Sequence, residues 1–81
     1  MSGGKMEKLV HMANQIGDYF SAMPEREAVD GAADHLRLYW TPKMVREIIA
    51  YAETEHSGLN ATAAHAVAEL KLRSLVQAHR T

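Results

Sequence analysis

The chain of 81 residues contains no cysteine. That excludes disulfides, iron–sulfur ligation and thiolate zinc sites. Charge of one sign is missing too: 9 Lys and Arg face 10 Asp and Glu, for a net −1. Such a balance leaves no electrostatic footprint for a nucleic-acid backbone or an anionic membrane. No apolar run approaches the roughly 20 residues of a membrane span. Met1-Ser2-Gly3-Gly4-Lys5 leads into no apolar signal segment, so a soluble, cytoplasmic protein is expected. Proline occurs only twice, and the aromatic set is one Trp, three Tyr and one Phe. A chain this short is one domain at most. It buries only about 60–65% of its unfolded surface, so packing, self-association or a partner must supply its stability.

What is present has helical periodicity. Met1 to Gly4 read as the start of a flexible tail over 1–5, ahead of a single helical domain over 6–79. Met6, Leu9, Val10, Ala13, Ile16, Gly17 and Phe20 recur at spacings of three and four, one stripe of a first helix. Glu7, Lys8, His11, Asn14, Gln15 and Asp18 form its solvated face. Gly17 sits on the apolar stripe, where it costs about 1 kcal/mol against Ala, and this predicts a second helix crossing closely there. Pro24 stops the first helix near Ala22-Met23 and opens the next as its first residue. Ala28, Val29, Ala32, Ala33, Leu36, Tyr39 and Trp40 make the second stripe. Thr41-Pro42 is an N-cap followed by a favoured N1 residue. The third helix is expected to run from there to His56-Ser57-Gly58, with Gly58 as its C′ residue. Asn60 caps a fourth helix over Ala61 to Ala78, with Ala64, Val67, Ala68, Leu72, Leu75 and Val76 inside and the last residues frayed. No strand pattern is present. The fold expected is all-α, a small bundle of about four short helices with tight connections.

No catalytic constellation emerges. His11, His35, His56, His65 and His79 form no His-x₃-His pair. The one-turn pairs Glu7/His11 and His65/Glu69 lack a third ligand, so no metal is expected. Ser21, Ser57 and Ser74 lie outside any nucleophile-elbow context. Asp30 and Asp34 are one turn apart, but a chain this size walls no cleft for carboxylate chemistry. The glycines make no phosphate-binding loop. A small helix-turn-helix DNA-binding regulator is the alternative, since Leu38 to Ile49 gives two helices around a short turn. Its second helix offers Lys43 and Arg46, which Glu47, Glu53 and Glu55 offset.

The segment Ala33 to Met44 carries more apolar surface than an ordinary helix end. Leu36, Leu38, Tyr39 and Trp40 cover more than half of the helix circumference. Trp40 could close the bundle's own core, or the helix could face two ways, toward the bundle and toward a partner protein. Trp, Tyr, Met and Arg are enriched in interface cores. On that ground Arg37, Tyr39, Trp40, Met44 and Arg46 are the expected contact residues, with Met12, Met23 and Leu72 as possible extensions. A homodimer of the isolated chain burying the same surface is the other option.

Two runs carry a family resemblance. Lys8-Leu9-Val10-His11-Met12-Ala13-Asn14-Gln15-Ile16, and Ala33-Asp34-His35-Leu36-Arg37 leading to Tyr39-Trp40-Thr41-Pro42-Lys43-Met44, resemble the delta subunit of soluble, molybdenum-containing NAD-dependent formate dehydrogenase. The resemblance extends from about Lys8 to Leu70. Met23-Pro24 and Glu27-Ala28-Val29 lie between the two runs in the expected order. Tyr39, Thr41 and Lys43 stand where Phe, Asp and Arg are as common, exchanges of like for like. The resemblance implies a small accessory subunit of a bacterial molybdenum or tungsten enzyme that oxidises formate and reduces NAD⁺. The larger subunits would then carry the molybdopterin, iron–sulfur clusters and flavin, and this chain no cofactor. It implies a role in assembly or stability of the active complex, and identifies no functional residue.

Overall fold

The computed structural model describes residues 2–54 and 56–78. It contains four helices in order, α1 (Ser2–Phe20), α2 (Glu25–Tyr39), α3 (Pro42–Ala52) and α4 (Ala61–Ala78), and among the described residues no strand. Every pair of helices is in contact. None is long and apolar enough to cross a membrane. α1 begins at Ser2, so Gly3, Gly4 and Lys5 belong to the helix rather than to the tail expected over 1–5. Met1 and residues 79–81, including the frayed end expected there, lie outside the described residues.

The connections follow from capping chemistry. α1 ends where the Ser21 hydroxyl donates to the Asp18 carbonyl at 2.7 Å and its N–H to the Gly17 carbonyl at 2.9 Å. Pro24 then takes extended backbone, φ −53° and ψ 146°, as the N-cap of α2, one position earlier than N1. Glu25 and Glu27 occupy the first turn of α2 and Arg37 its last, each matched to the helix dipole. At the α2–α3 corner the Thr41 hydroxyl accepts from the Met44 N–H at 3.2 Å, and Pro42 is the first helical residue. α3 stops at Ala52, four residues short of His56. There the Thr54 hydroxyl and N–H both donate to the Tyr51 carbonyl, at 2.7 and 3.0 Å, which tightens the chain into a turn. Gly58 has φ +79°, a value that favours glycine, but it lies in the connection to α4 and not at the end of α3.

Asn14 also departs from its expected place on the solvated face of α1. Instead of facing solvent, it ties the α3–α4 connection down: its Oδ1 accepts from the Asn60 N–H at 2.7 Å and its Nδ2 donates to the Gly58 carbonyl at 2.9 Å. Asn60 in turn accepts from the Ala63 N–H at 2.8 Å as the α4 cap and donates to the Asn14 carbonyl at 3.0 Å and the Asp18 carboxylate at 3.1 Å. Asn14→Ala removes two of these bonds and should cost about 2 kcal/mol at about 1 kcal/mol per bond. Chemical denaturation followed by circular dichroism measures this, and an unchanged midpoint would show the connection to be held by other contacts.

The core is built at short range. Of its buried residues, Ala13, Ala28, Ala32, Ala33, Ala63 and Ala66 are alanines, and Leu9, Leu36, Trp40, Ile48, Val67 and Leu70 fill the space between them. α4 therefore presents Ala63, Ala66, Val67 and Leu70, an i, i+3, i+4, i+7 stripe. The face expected from the sequence was rotated from this one. Leu72, Leu75 and Val76 are at least half exposed. Arg73 anchors that end of α4 to α2, with contacts to Asp34 at 2.7 Å, to Glu69 at 3.0 Å and to Asp30 at 3.8 Å. Its hydrogen bond to Asp34 holds the guanidinium pKa above its ordinary value.

Candidate partner-binding groove

The C-terminal half of α1, the end of α2 and the start of α3 leave an open groove of about 810 Å³. Two backbone features create it. Pro24 turns the chain back after α1, and Thr41-Pro42 turns it again after α2, so the C-terminal half of α1 lies along the end of α2 and the start of α3. α1 contributes Met12, Gln15, Ile16, Tyr19 and Phe20; the connection adds Met23; α2 and α3 add His35, Tyr39, Trp40 and Met44. No Asp, Glu, Lys or Arg lines it.

An aromatic ladder runs along one wall. Tyr19 meets Phe20 edge-on at 5.0 Å, Phe20 approaches His35 at 6.2 Å, and His35 tilts over Tyr39 at 4.6 Å. Gly31 makes the ladder possible, because a Cβ there would lie 2.7 Å from the Phe20 ring. Tyr19 and Tyr39 are 75% and 73% exposed, an unusual presentation for large side chains in so small a protein. Met12, Met23 and Met44 add flexible, polarisable surface that adapts to the shape of what it meets.

The structure divides the five residues expected to form an interface. It brings Tyr39, Trp40 and Met44 together in this groove, with Met12 and Met23 beside them. Trp40 is only 7% exposed and packs in the core cluster, so it forms the groove's floor. Arg37 lies apart, in a second groove of about 500 Å³ that also includes Val45, Leu72 and Val76. Arg46 is exposed on α3 and lines neither groove. Sequence reasoning missed Gln15, Ile16, Tyr19 and Phe20 of α1 and His35 of α2, which come together only in the folded chain. No three His, Asp or Glu side chains converge into a metal-holding group among the described residues.

No curated protein and no solved structure matches the chain. A family model described as the NADH-dependent formate dehydrogenase delta subunit FdsD matches residues 8–67. That span holds α1 from its second turn, all of α2 and α3, the start of α4 and every residue of the groove. The chain belongs to the delta-subunit family of NADH-dependent formate dehydrogenase.

Proposed function

We propose that this delta subunit is a non-catalytic accessory component that supports assembly or stability of the active formate dehydrogenase, and that it seats a larger subunit of that complex in the α1–α2–α3 groove. The observation that carries the reading is the groove itself. An apolar trough lined by no Asp, Glu, Lys or Arg and rimmed by two exposed tyrosines gains stability when something covers it. The absence of cysteine supports placing the iron–sulfur clusters on other chains, and the molybdenum cofactor and flavin are assigned there with them. The family's place in a cytoplasmic enzyme is part of the same reading. The family match gives no support to a DNA-binding regulator.

In this role the chain acts by geometry. The Thr41 cap and the buried Trp40 fix the backbone of the corner that presents Tyr39 and Met44, so no backbone ordering is needed on docking. The test is retention of the larger subunits by the tagged chain, read together with formate-dependent NAD⁺ reduction. Tyr39→Asp places a carboxylate in the groove without touching the core, since Tyr39 is exposed. Retention should fall tenfold or more, on the order of the ~2 kcal/mol lost at an interface anchor. Full retention by a folded Tyr39→Asp variant would remove the groove from the contact surface.

A further inference from the structure

The groove is lined by no Asp, Glu, Lys or Arg, yet one group in its lining belongs to a type that changes charge near neutral pH. That group is His35, which lines the groove beside Tyr39 and Trp40. It is half-buried, whereas His11, His56 and His65 are exposed and line no part of the groove. Histidine is the side chain that ordinarily titrates between about pH 5 and 8. The other titratable groups of the lining are the hydroxyls of Tyr19 and Tyr39, and a phenol does not titrate in that range.

The imidazole stands in the middle of the aromatic ladder, 6.2 Å from the Phe20 ring and 4.6 Å from the Tyr39 ring. Among the described residues no carboxylate lies within ion-pair distance of it. Its neighbours one turn away on α2 are Gly31, Ala32, Leu38 and Tyr39. Asp34, beside it in the chain, is bonded to Arg73 at 2.7 Å. α1 brings Phe20 and Tyr19 to this wall and α3 brings Met44 to the same lining, all without charge. In the isolated chain, therefore, water is what solvates a positive charge on the ring. The Phe20 and Tyr39 rings touch the imidazole before docking as well as after it, so the change that docking brings is the loss of that water. An occupant apolar enough to fit this lining supplies nothing in its place, and burial disfavours the charged form of an imidazole.

We infer that His35 makes docking in the groove sensitive to pH: the larger subunit seats on the neutral imidazole, and protonation of His35 weakens its hold. This rests on the reading of the groove as the seat of a larger subunit and adds its regulation. A protonated His35 must lose its proton before it is covered. The docked state then binds fewer protons than the free chain, and association weakens as pH falls. Each pH unit by which covering displaces the titration downward is a factor of about ten in affinity on the acid side.

Retention of the co-expressed larger subunits by the tagged chain, measured from about pH 8 to about pH 5.5, tests this against His35→Phe and His35→Gln, which cannot titrate there. The larger subunits carry titrating groups of their own, so the quantity read is the ratio of wild type to variant. Relative to its value at the alkaline end, that ratio should fall about tenfold at the acid end for both variants. The isolated wild-type chain should keep its helical circular dichroism at both ends. A ratio that stays constant across the range overturns the inference while leaving the accessory reading standing. A ratio that rises on acidification places a carboxylate of the partner against the imidazole and overturns it as well. Unfolding of the isolated wild-type chain at the acid end, with the variants still folded, assigns the effect to stability and overturns it too. Failure of the wild-type chain to retain the larger subunits at the alkaline end overturns the accessory reading itself.

Discussion

Trp40→Ala is expected to destabilise the protein by about 3–5 kcal/mol, the usual range for removing a buried tryptophan. At roughly 0.05–0.15 kcal/mol per residue, a chain of 81 residues has only about 4–12 kcal/mol to lose. The variant should therefore lose a large fraction of its stability, and its helical circular dichroism should melt at a markedly lower temperature than the wild type. The reason is positional. Trp40 is the C-cap of α2, its N–H donates to the Leu36 carbonyl at 2.9 Å, and its ring packs in the cluster containing Leu36 and Ile48. Removing the ring opens a cavity where three helices converge, next to a groove through which water enters. A cooperative wild-type melt in Trp40→Ala would mean the core closes without the indole. The same reasoning decides which variants probe binding: loss of partners by Trp40→Ala reports unfolding, whereas Tyr39→Asp reports the surface.

Gly17→Ala should also destabilise, against the intrinsic preference of a helix for Ala. The added Cβ would lie 2.6 Å from the Asn60 Oδ1, 2.9 Å from the Ala63 backbone nitrogen and 3.2 Å from the Ala63 Cβ. A side-chain oxygen can move, but that oxygen is the cap of α4, and the backbone nitrogen cannot retreat without moving the helix. Overpacking of this kind costs about 1–3 kcal/mol, and the displaced cap adds about 1 kcal/mol. The gain in helix propensity returns up to about 1 kcal/mol, so the net loss is about 2 kcal/mol. Gly4→Ala is the control. Nothing lies within 4 Å of a Cβ there, so only the propensity gain remains and stability should hold or rise. If both substitutions stabilise, α1 and α4 are not in close approach at Gly17.

The parts of this fold that could be read from the sequence are those decided by neighbours in the chain. Thr41-Pro42 specifies its own helix start, because the cap bond spans three residues. Gly17 announces a crossing because an unfavourable residue on an apolar stripe needs a reason. Asn60 reads as a cap for the same local cause. What the sequence does not reveal depends on distance or on weak contrast. Asn14 reaches a residue 46 positions away, and nothing nearby distinguishes it from its solvated neighbours. The inward face of α4 is made largely of alanine, whose small hydrophobicity sets no clear direction, while Leu72, Leu75 and Val76 suggest a different one. α3 ended early because one threonine hydroxyl captured a carbonyl.

The candidate site divides along the same line. Tyr39, Trp40 and Met44 are close in sequence and share the groove. Arg37 is nearer to Tyr39 than Met44 is, yet it lines another surface. Two residues along an α-helix turn the side chain by about 200°, so linear proximity separates them while a helix break after Trp40 brings Met44 back. Tyr19 and Phe20 join only through the return of the chain at Pro24.

The alanine-lined interior has a consequence for the shape of the stability curve. Six of the buried core residues carry a single methyl group, so the helices stand close but hide less hydrocarbon than leucine and phenylalanine would. The heat-capacity change on unfolding scales with the apolar surface exposed, at about 12–15 cal/mol/K per residue for ordinary domains. A value below that range is expected for this protein, and with it a stability that varies gently with temperature in both directions. A flat curve of this kind would keep the chain folded across a broad span of temperature at a modest maximum, and a scanning-calorimetry trace measures it.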